Sequence, residues 1–345
     1  MSKINVLVVD DASLMQKVLG RILAEDPEIN VVGYAKNGLE CLDKMKKYNP
    51  DVISLDVDMP LMDGLTTIKH IMIEKPTPTV VVSSMSQTGR ITFEALRLGV
   101  IDFISKPSGS ISIDMESQKE VLRNRIKLSA GIQIEKVRRV WFKNNGFKTK
   151  KETIGPAPEK IVAIGTSLGG PNTIIRIVSS LSPNFNGCIL AMQEIDPEIL
   201  PAFCSYFDEI APVKVIPLED NIPLKNGVCY LASTRCQLEI EDNGRGDKIL
   251  RLKKSLKNPI SSMFSTVASL FGEKSMGILL TGIGRDGIDG LKSIIAAGGK
   301  TVAQEEKCCV FPNLTHCAIK EGIIHEVLPD NEIPKFIMDW INLST

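Results

Sequence analysis

The sequence predicts an α/β protein built as two doubly wound parallel-sheet domains. Three observations carry that reading. Short apolar runs alternate with stretches of helical periodicity in both halves of the chain. The 345-residue length fits two domains at about 150 residues each. A basic segment punctuated by Gly, Pro and Asn separates the halves. Residues 111–160 carry 12 basic and 6 acidic side chains, against 12 and 14 in residues 1–110 and 17 and 21 in residues 161–345.

In the first half the apolar runs at 4–9, 29–35, 52–56, 79–83 and 101–104 read as strands. Between them 13–24, 38–46, 66–73 and 92–98 have the spacing of helices with one apolar face. Five strands with intervening helices imply a parallel sheet whose ligand site lies at the strand C-termini. The middle segment reads as a helix to about residue 142 followed by a flexible linker, with Asn144-Asn145-Gly146 and Gly155-Pro156-Ala157-Pro158 as breakers. The second half repeats the grammar with strands at 161–165, 188–193, 213–216, 276–281 and 300–304, and a two-strand ribbon at 237–241 and 249–252. The boundaries that follow are 1–125, a linker over 126–158, and 159–345.

Composition excludes several classes. Hydrophobic residues at 43% and charged residues at 24% are ordinary for a globular protein with packed cores. Lys+Arg and Asp+Glu both total 41, so global charge points to neither nucleic acid nor a membrane surface. No apolar run approaches the ~18 residues of a membrane span. Residues 1–11 end in two acids where a secretory leader would place small residues. Eight scattered Cys without a CxxC pair fit reduced thiols, hence a cytoplasmic setting. With only three His (His70, His316 and His325), imidazole chemistry has few candidates.

Asp10 and Asp11 follow the first strand and Asp56 ends the third, so three carboxylates should meet at one sheet edge. Such a cluster needs a cation, and hard oxygen ligands favour Mg²⁺. Lys106 after the fifth strand can pair with Asp56 or with a phosphoryl group placed on it, and Ser83 offers that group a hydroxyl. Pro107 suits a cis bond. A single Asp here would read as a helix cap; five such residues in register do not. With Asp56-Val-Asp-Met-Pro60-Leu-Met-Asp63-Gly64, Ser83-Ser84 and Lys106-Pro107, residues 3–125 resemble a response-regulator receiver domain, which is flavodoxin-like. The resemblance implies that Asp56 accepts a phosphoryl group from a sensor histidine kinase. It further implies that Asp10, Asp11 and Asp56 hold Mg²⁺ and that Ser83 and Lys106 sense the phosphoryl group.

The second motif is Gly165-Thr-Ser167-Leu-Gly169-Gly170, a G-x-S-x-G turn between strand and helix. Small residues on both sides lift Ser167 clear of the sheet edge, and the helix N-terminus that follows suits an oxyanion. A Gly-rich turn of this kind equally cradles a phosphate. Leu280-Thr-Gly-Ile-Gly-Arg-Asp286-Gly and Gln193-Glu194 place two acids at the same edge. These stretches, with Val302-Ala-Gln304-Glu-Glu, resemble the catalytic domain of chemotaxis protein-glutamate methylesterases, the CheB family. The resemblance implies hydrolysis of methyl-glutamate esters, and deamidation of glutamines, on methyl-accepting chemoreceptors by a Ser-His-Asp triad. Ser167 matches the nucleophile and Asp286 the orienting acid. The family's unphosphorylated receiver covers the active site, and phosphorylation relieves the block. The hydrolase domain needs no cofactor.

The chain departs from that pattern at the base. Where the family reads Gln-His-Met-Pro-Pro-Gly-Phe, this sequence reads Gln193-Glu194-Ile195-Asp196-Pro197-Glu198-Ile199. Glu194 therefore stands in the His position, Leu168 replaces a Thr, and Asn258-Pro259-Ile260-Ser261-Ser262 replaces Arg-Pro-Ser-Val-Asp. A serine hydroxyl needs a base with a pKa near 7, and a free Glu starts about two or more units lower. Loss of the base in a triad costs several orders of magnitude. Two readings follow: a methylesterase of weakened activity, or a catalytically inactive receiver-linked adaptor of chemotaxis signalling. His316 reads first as a loop or helix-cap histidine and second as a replacement base; His325 reads as structural, and His70 belongs to the receiver-like half.

Overall fold

A computed structural model describes residues 3–84, 88–106, 118–140, 156–242, 248–254 and 257–343. The chain divides into two compact units, Met1–Val140 and Trp141–Thr345. No described helix is long and apolar enough to cross a membrane.

The first unit alternates β1 (Ile4–Val9), α1 (Ser13–Ala24), β2 (Ile29–Ala35), α2 (Gly38–Tyr48), β3 (Val52–Leu55), α3 (Gly64–Glu74), β4 (Thr79–Ser84), α4 (Thr88–Leu98), β5 (Asp102–Lys106) and α5 (Lys119–Ala130). Its five strands are parallel in the order β2-β1-β3-β4-β5. The period of two along β1 decides the layers. Leu7 and Val9 join one buried cluster with Ile68 and Ile71 of α3, while Val6 and Val8 join another with Leu19 and Ile22 of α1. Helix starts follow from local chemistry. The Asn37 side chain accepts from the Glu40 N–H to cap α2, and Asp63 accepts from the Thr66 N–H to cap α3.

The boundary of this unit differs from the sequence expectation. The helix stops at Ala130 before Gly131, and does not run to about 142. Nor do residues 126–140 behave as a linker. Leu122 and Ile126 are fully buried in the cluster on the α1 side. The Arg123 guanidinium donates to the Ile22 carbonyl at 2.8 Å. Beyond the helix, the Val140 N–H donates to the Arg97 carbonyl at 3.0 Å, and Arg139 donates to the Met72 carbonyl. Apolar burial and backbone pairing thus hold this stretch to the first unit. Residues 141–155, read as linker, and Pro107 lie outside the described residues.

The second unit contains β6 (Ile161–Gly165), α6 (Gly170–Ser179), β7 (Cys188–Gln193), α7 (Leu200–Ile210), β8 (Lys214–Pro217), β9 (Ile222–Pro223), β10 (Val228–Ser233), β11 (Cys236–Asp242), β12 (Lys248–Lys254), α8 (Pro259–Phe271), β13 (Ser275–Leu279), α9 (Ile288–Ala296), β14 (Lys300–Gln304), α10 (Asn313–Lys320), β15 (Glu326–Leu328) and α11 (Ile333–Asn342). Seven strands form a parallel sheet in the order β15-β14-β13-β6-β7-β10-β8. The sequence reading had five strands here and lacked β10 and β15. β10 is buried along its whole length, as β6 and β7 are, and follows the two-residue β9 after only four residues, so the sequence does not separate it from the irregular stretch before the ribbon. β15 has three residues, too few for a period. The expected ribbon is present as β11 and β12, and β9 extends it to a three-stranded antiparallel sheet.

Both parallel sheets have a switch point where the chain reverses its direction of travel across the sheet. In the first unit this crevice lies between β1 and β3, and in the second between β6 and β13.

Candidate functional site

At the β1/β3 edge, Asp10, Asp11 and Asp56 each bring a carboxylate oxygen within 4.8 Å of the others. Asp10 and Asp56 are buried and Asp11 is exposed. Backbone N–H groups orient the two buried acids: Ala12 donates to Asp10 Oδ1 at 3.0 Å, and Val57 to Asp56 Oδ1 at 2.7 Å. The second oxygen of each faces Lys106 Nζ, at 2.7 Å from Asp10 and 2.5 Å from Asp56. Burial pushes the Asp10 carboxyl above its ordinary range against the pull of Lys106. Burial also works against the Lys106 ammonium, but Asp10 and Asp56 outweigh it and raise the lysine. Ser83 is buried near the end of the adjacent β4, in register with Ser105 of β5. All five residues expected from the sequence thus lie on one sheet edge. The donor set of three clustered carboxylates fits a hard divalent cation.

At the β6/β13 edge, Ser167 sits partly buried two residues beyond β6. Gly169, at φ 77°, starts α6 in a conformation that disfavours any side chain. The Ser167 hydroxyl is gripped by one residue of the loop after β13. The Ile283 N–H donates to Oγ at 2.8 Å, and Oγ donates to the Ile283 carbonyl at 3.3 Å. That loop is pinned from the far side: Gly282 N–H donates to the Phe311 carbonyl, Leu314 N–H to the Gly282 carbonyl, and Gly284 N–H to Asn313 Oδ1. A Cβ on Gly282 would lie 2.5 Å from Ser167 Oγ, so only glycine admits the hydroxyl here.

Glu194 directly follows β7, the neighbour of β6, and is half-buried. Asp286 is also half-buried, but its carboxylate is committed to backbone. Oδ2 accepts from the Ile260 N–H and Oδ1 from the Ser261 N–H, both at 2.9 Å. The histidines are engaged elsewhere. His316 is exposed on α10 and pairs with Glu306 at 3.2 Å. His325 accepts from the Thr301 N–H at 3.1 Å. His70 belongs to the first unit and pairs with Glu74. Residues 311–314 pack on the Gly282-Ile283-Gly284 loop beside Ser167, while His316, exposed on α10, pairs with Glu306, which suits the reading of it as a surface histidine.

Comparison with known sequences decides the family. The CheB methylesterase family profile matches residues 162–337, and the response regulator receiver domain matches residues 6–115. The chain belongs to the CheB methylesterase family. A relative from Syntrophomonas wolfei, named protein-glutamate methylesterase/protein-glutamine glutaminase 3, is 35% identical over 98% of this chain and 99% of its own. One from Pyrococcus abyssi, named protein-glutamate methylesterase/protein-glutamine glutaminase, is 35% identical over 99% of this chain and 94% of its own. The crystal structure of the Thermotoga maritima CheB methylesterase catalytic domain superposes with a TM-score of 0.50 at 29% identity. It covers 52% of this chain and 97% of that one.

For a CheB-type serine site, sequence reasoning missed three contributors: the Ile283 backbone, Asn313 and Ser261. Backbone donors leave no residue-type signature beyond the Gly282-Ile283-Gly284 spacing. Asn313 was discoverable as the polar residue after Phe311-Pro312, where α10 starts. Burial pushes the Cys41 thiol up to about 12 and raises Cys188, Cys204 and Cys229, which disfavours the thiolate at each.

Proposed function

We propose that this chain is a phosphorylation-controlled protein-glutamate methylesterase and glutaminase of slow turnover, acting in the cytoplasm on methyl-accepting chemoreceptors. The observation that carries it is the Ser167 hydroxyl held at the β6/β13 switch point by both backbone groups of Ile283. An N–H aimed at Oγ stabilises negative charge there, and the α6 N-terminus beside it favours an oxyanion. In this reading Ser167 Oγ attacks the side-chain ester carbonyl. Its proton passes to Glu194 and then to the departing methoxide, releasing methanol. Water hydrolyses the acyl-serine to free the glutamate. With amide as leaving group the same steps release ammonia. A carboxylate in the place of imidazole is a poor match in pKa for both transfers, hence the slow turnover.

Control comes from the first unit. Asp56 is the phosphoacceptor and a sensor histidine kinase of the chemotaxis system is the donor; Lys106 and Ser83 then face the phosphoryl oxygens. Asp10, Asp11 and Asp56 would hold Mg²⁺, which supplies positive charge opposite the phosphoryl group. The receiver-domain match over residues 6–115 supports this control, and the match over nearly the whole chain to relatives named for both activities supports the esterase and glutaminase reading.

A second reading, an adaptor without turnover, is favoured by one observation. No described histidine contact involves Ser167. Methanol release from methylated receptor by the protein, phosphorylated with a small-molecule donor, separates the two. Release that disappears in Ser167→Ala establishes the esterase. Release from Glu194→His alone establishes a scaffold that has lost its base.

A further inference from the structure

The serine site is held by a reciprocal cap between two helix starts. The N-cap of α8 is Asn258, at φ 51°, whose side chain makes no capping hydrogen bond to the first N–H groups of the helix. Asp286 supplies that cap from a distance of 26 residues in sequence, with both carboxylate oxygens on the Ile260 and Ser261 N–H groups. Negative charge at this position also suits the helix dipole. The favour is returned at α9. Its N-cap Gly287 has no side chain, and the Ser261 hydroxyl accepts the Gly287 N–H at 2.7 Å while buried.

Close packing closes the assembly. A Cβ on Gly165 would meet Ile260 at 2.2 Å, and one on Gly290 would meet the Ser261 carbonyl at 2.5 Å. The start of α8 is therefore wedged between the end of β6, two residues before Ser167, and the start of α9. The loop joining β13 to α9 carries Ile283, the residue that grips Ser167 Oγ, and ends at the Asp286/Gly287 cap. A shift at Ser261 or Asp286 must move that loop.

We infer that Ser261 and Asp286 are positioning residues that act as one clamp on the Ile283 loop, so that Asp286 serves the serine through backbone rather than by orienting a proton-carrying base. The inference rests on Ser167 being the reacting hydroxyl, and Ser261 stands where the family pattern has Val.

The test uses the full chain with Ser261→Ala, Asp286→Asn, the double variant and Ser261→Thr. Two quantities are read well below the melting transition: amide hydrogen exchange at Ile283 and Gly287, and the rate of Ser167 labelling by a fluorophosphonate between about pH 6 and pH 9. Each single variant should speed Ile283 exchange and slow labelling by about tenfold, the worth of one strong hydrogen bond. The shape of the pH profile should stay that of the native chain. The double variant should be little worse than either single one, and Ser261→Thr, which keeps the hydroxyl, should restore both readouts. Unchanged Ile283 exchange in Ser261→Ala overturns the clamp. So does an altered pH profile in Asp286→Asn with Ser261→Ala labelling at the native rate, because the carboxylate would then be acting on a base. Absence of labelling in the native chain would count against the esterase reading alone, since exchange at Ile283 decides the clamp without it.

Discussion

The two sheet edges solve the problem of burying polar groups in opposite ways. At the β1/β3 edge charge meets charge: Asp10 and Asp56 share Lys106, and each keeps one oxygen on a backbone N–H. At the β6/β13 edge the polar groups meet backbone: Ser167 holds Ile283, and Asp286 holds the start of α8. The first arrangement is complete for chemistry that needs only a carboxylate nucleophile and positive charge. The second has the scaffold for acyl chemistry, yet the group that must carry a proton is the one that differs. A proton-transfer site depends on a group whose pKa lies near the operating pH.

The largest expected effect breaks the comparison on its complete side. Asp56→Asn should lower phosphoryl incorporation from a small-molecule donor by at least about a thousandfold, because the nucleophile is gone. Incorporation at a near-native level, measured by intact mass, would move the acceptor elsewhere. The next effect tests the incomplete side. Glu194→His should raise Ser167-dependent methanol release by about a hundredfold to ten-thousandfold, the range for a general base. No gain would mean that Asp286, held on α8, cannot orient the new imidazole.

Smaller effects sharpen the contrast. Gly169→Ala forces a side chain into a φ of 77°, with its Cβ 3.3 Å from Val310 Cβ. It should destabilise the second unit by about 1–2 kcal/mol in denaturant melts, leaving the first unit unaltered. The smallest concerns charge at the surface of the first unit. Lys127, hydrogen-bonded to Asp26, holds that carboxyl below its ordinary range. A depressed acid stabilises above its unfolded pKa and loses the contribution as pH falls through the folded value. Asp26→Asn should therefore lower Tm slightly near about pH 7, and the difference should shrink as the pH falls below the ordinary aspartate range.

Much of this was legible in the residues. The alternation along β1 and the acids ending β1 and β3 are short-range signals, and the first sheet follows from them directly. The Ser167 turn was equally plain from its glycines. What escaped had no local signature. β10 lies close behind the two-residue β9, in a stretch where no helix separates the strands. The fate of residues 126–140 depended on Arg97 and Met72 carbonyls far away in sequence. Asp286 read as an acid aimed at the site, because nothing in its own neighbourhood reveals that α8 begins without a cap. The Ser261 hydroxyl was invisible for the same reason: its partner is a backbone N–H at residue 287.

Ser167 hangs from β6, which is paired on both sides, to β13 and to β7, and lies three strands in from β15. Loosening of a sheet of this kind starts at its rims, where β15 and β8 are short and have one neighbour each. The serine's strand belongs to the last part of the unit to let go. The Ser167 turn is thus anchored on a strand with a neighbour on each side, away from the edges where opening begins.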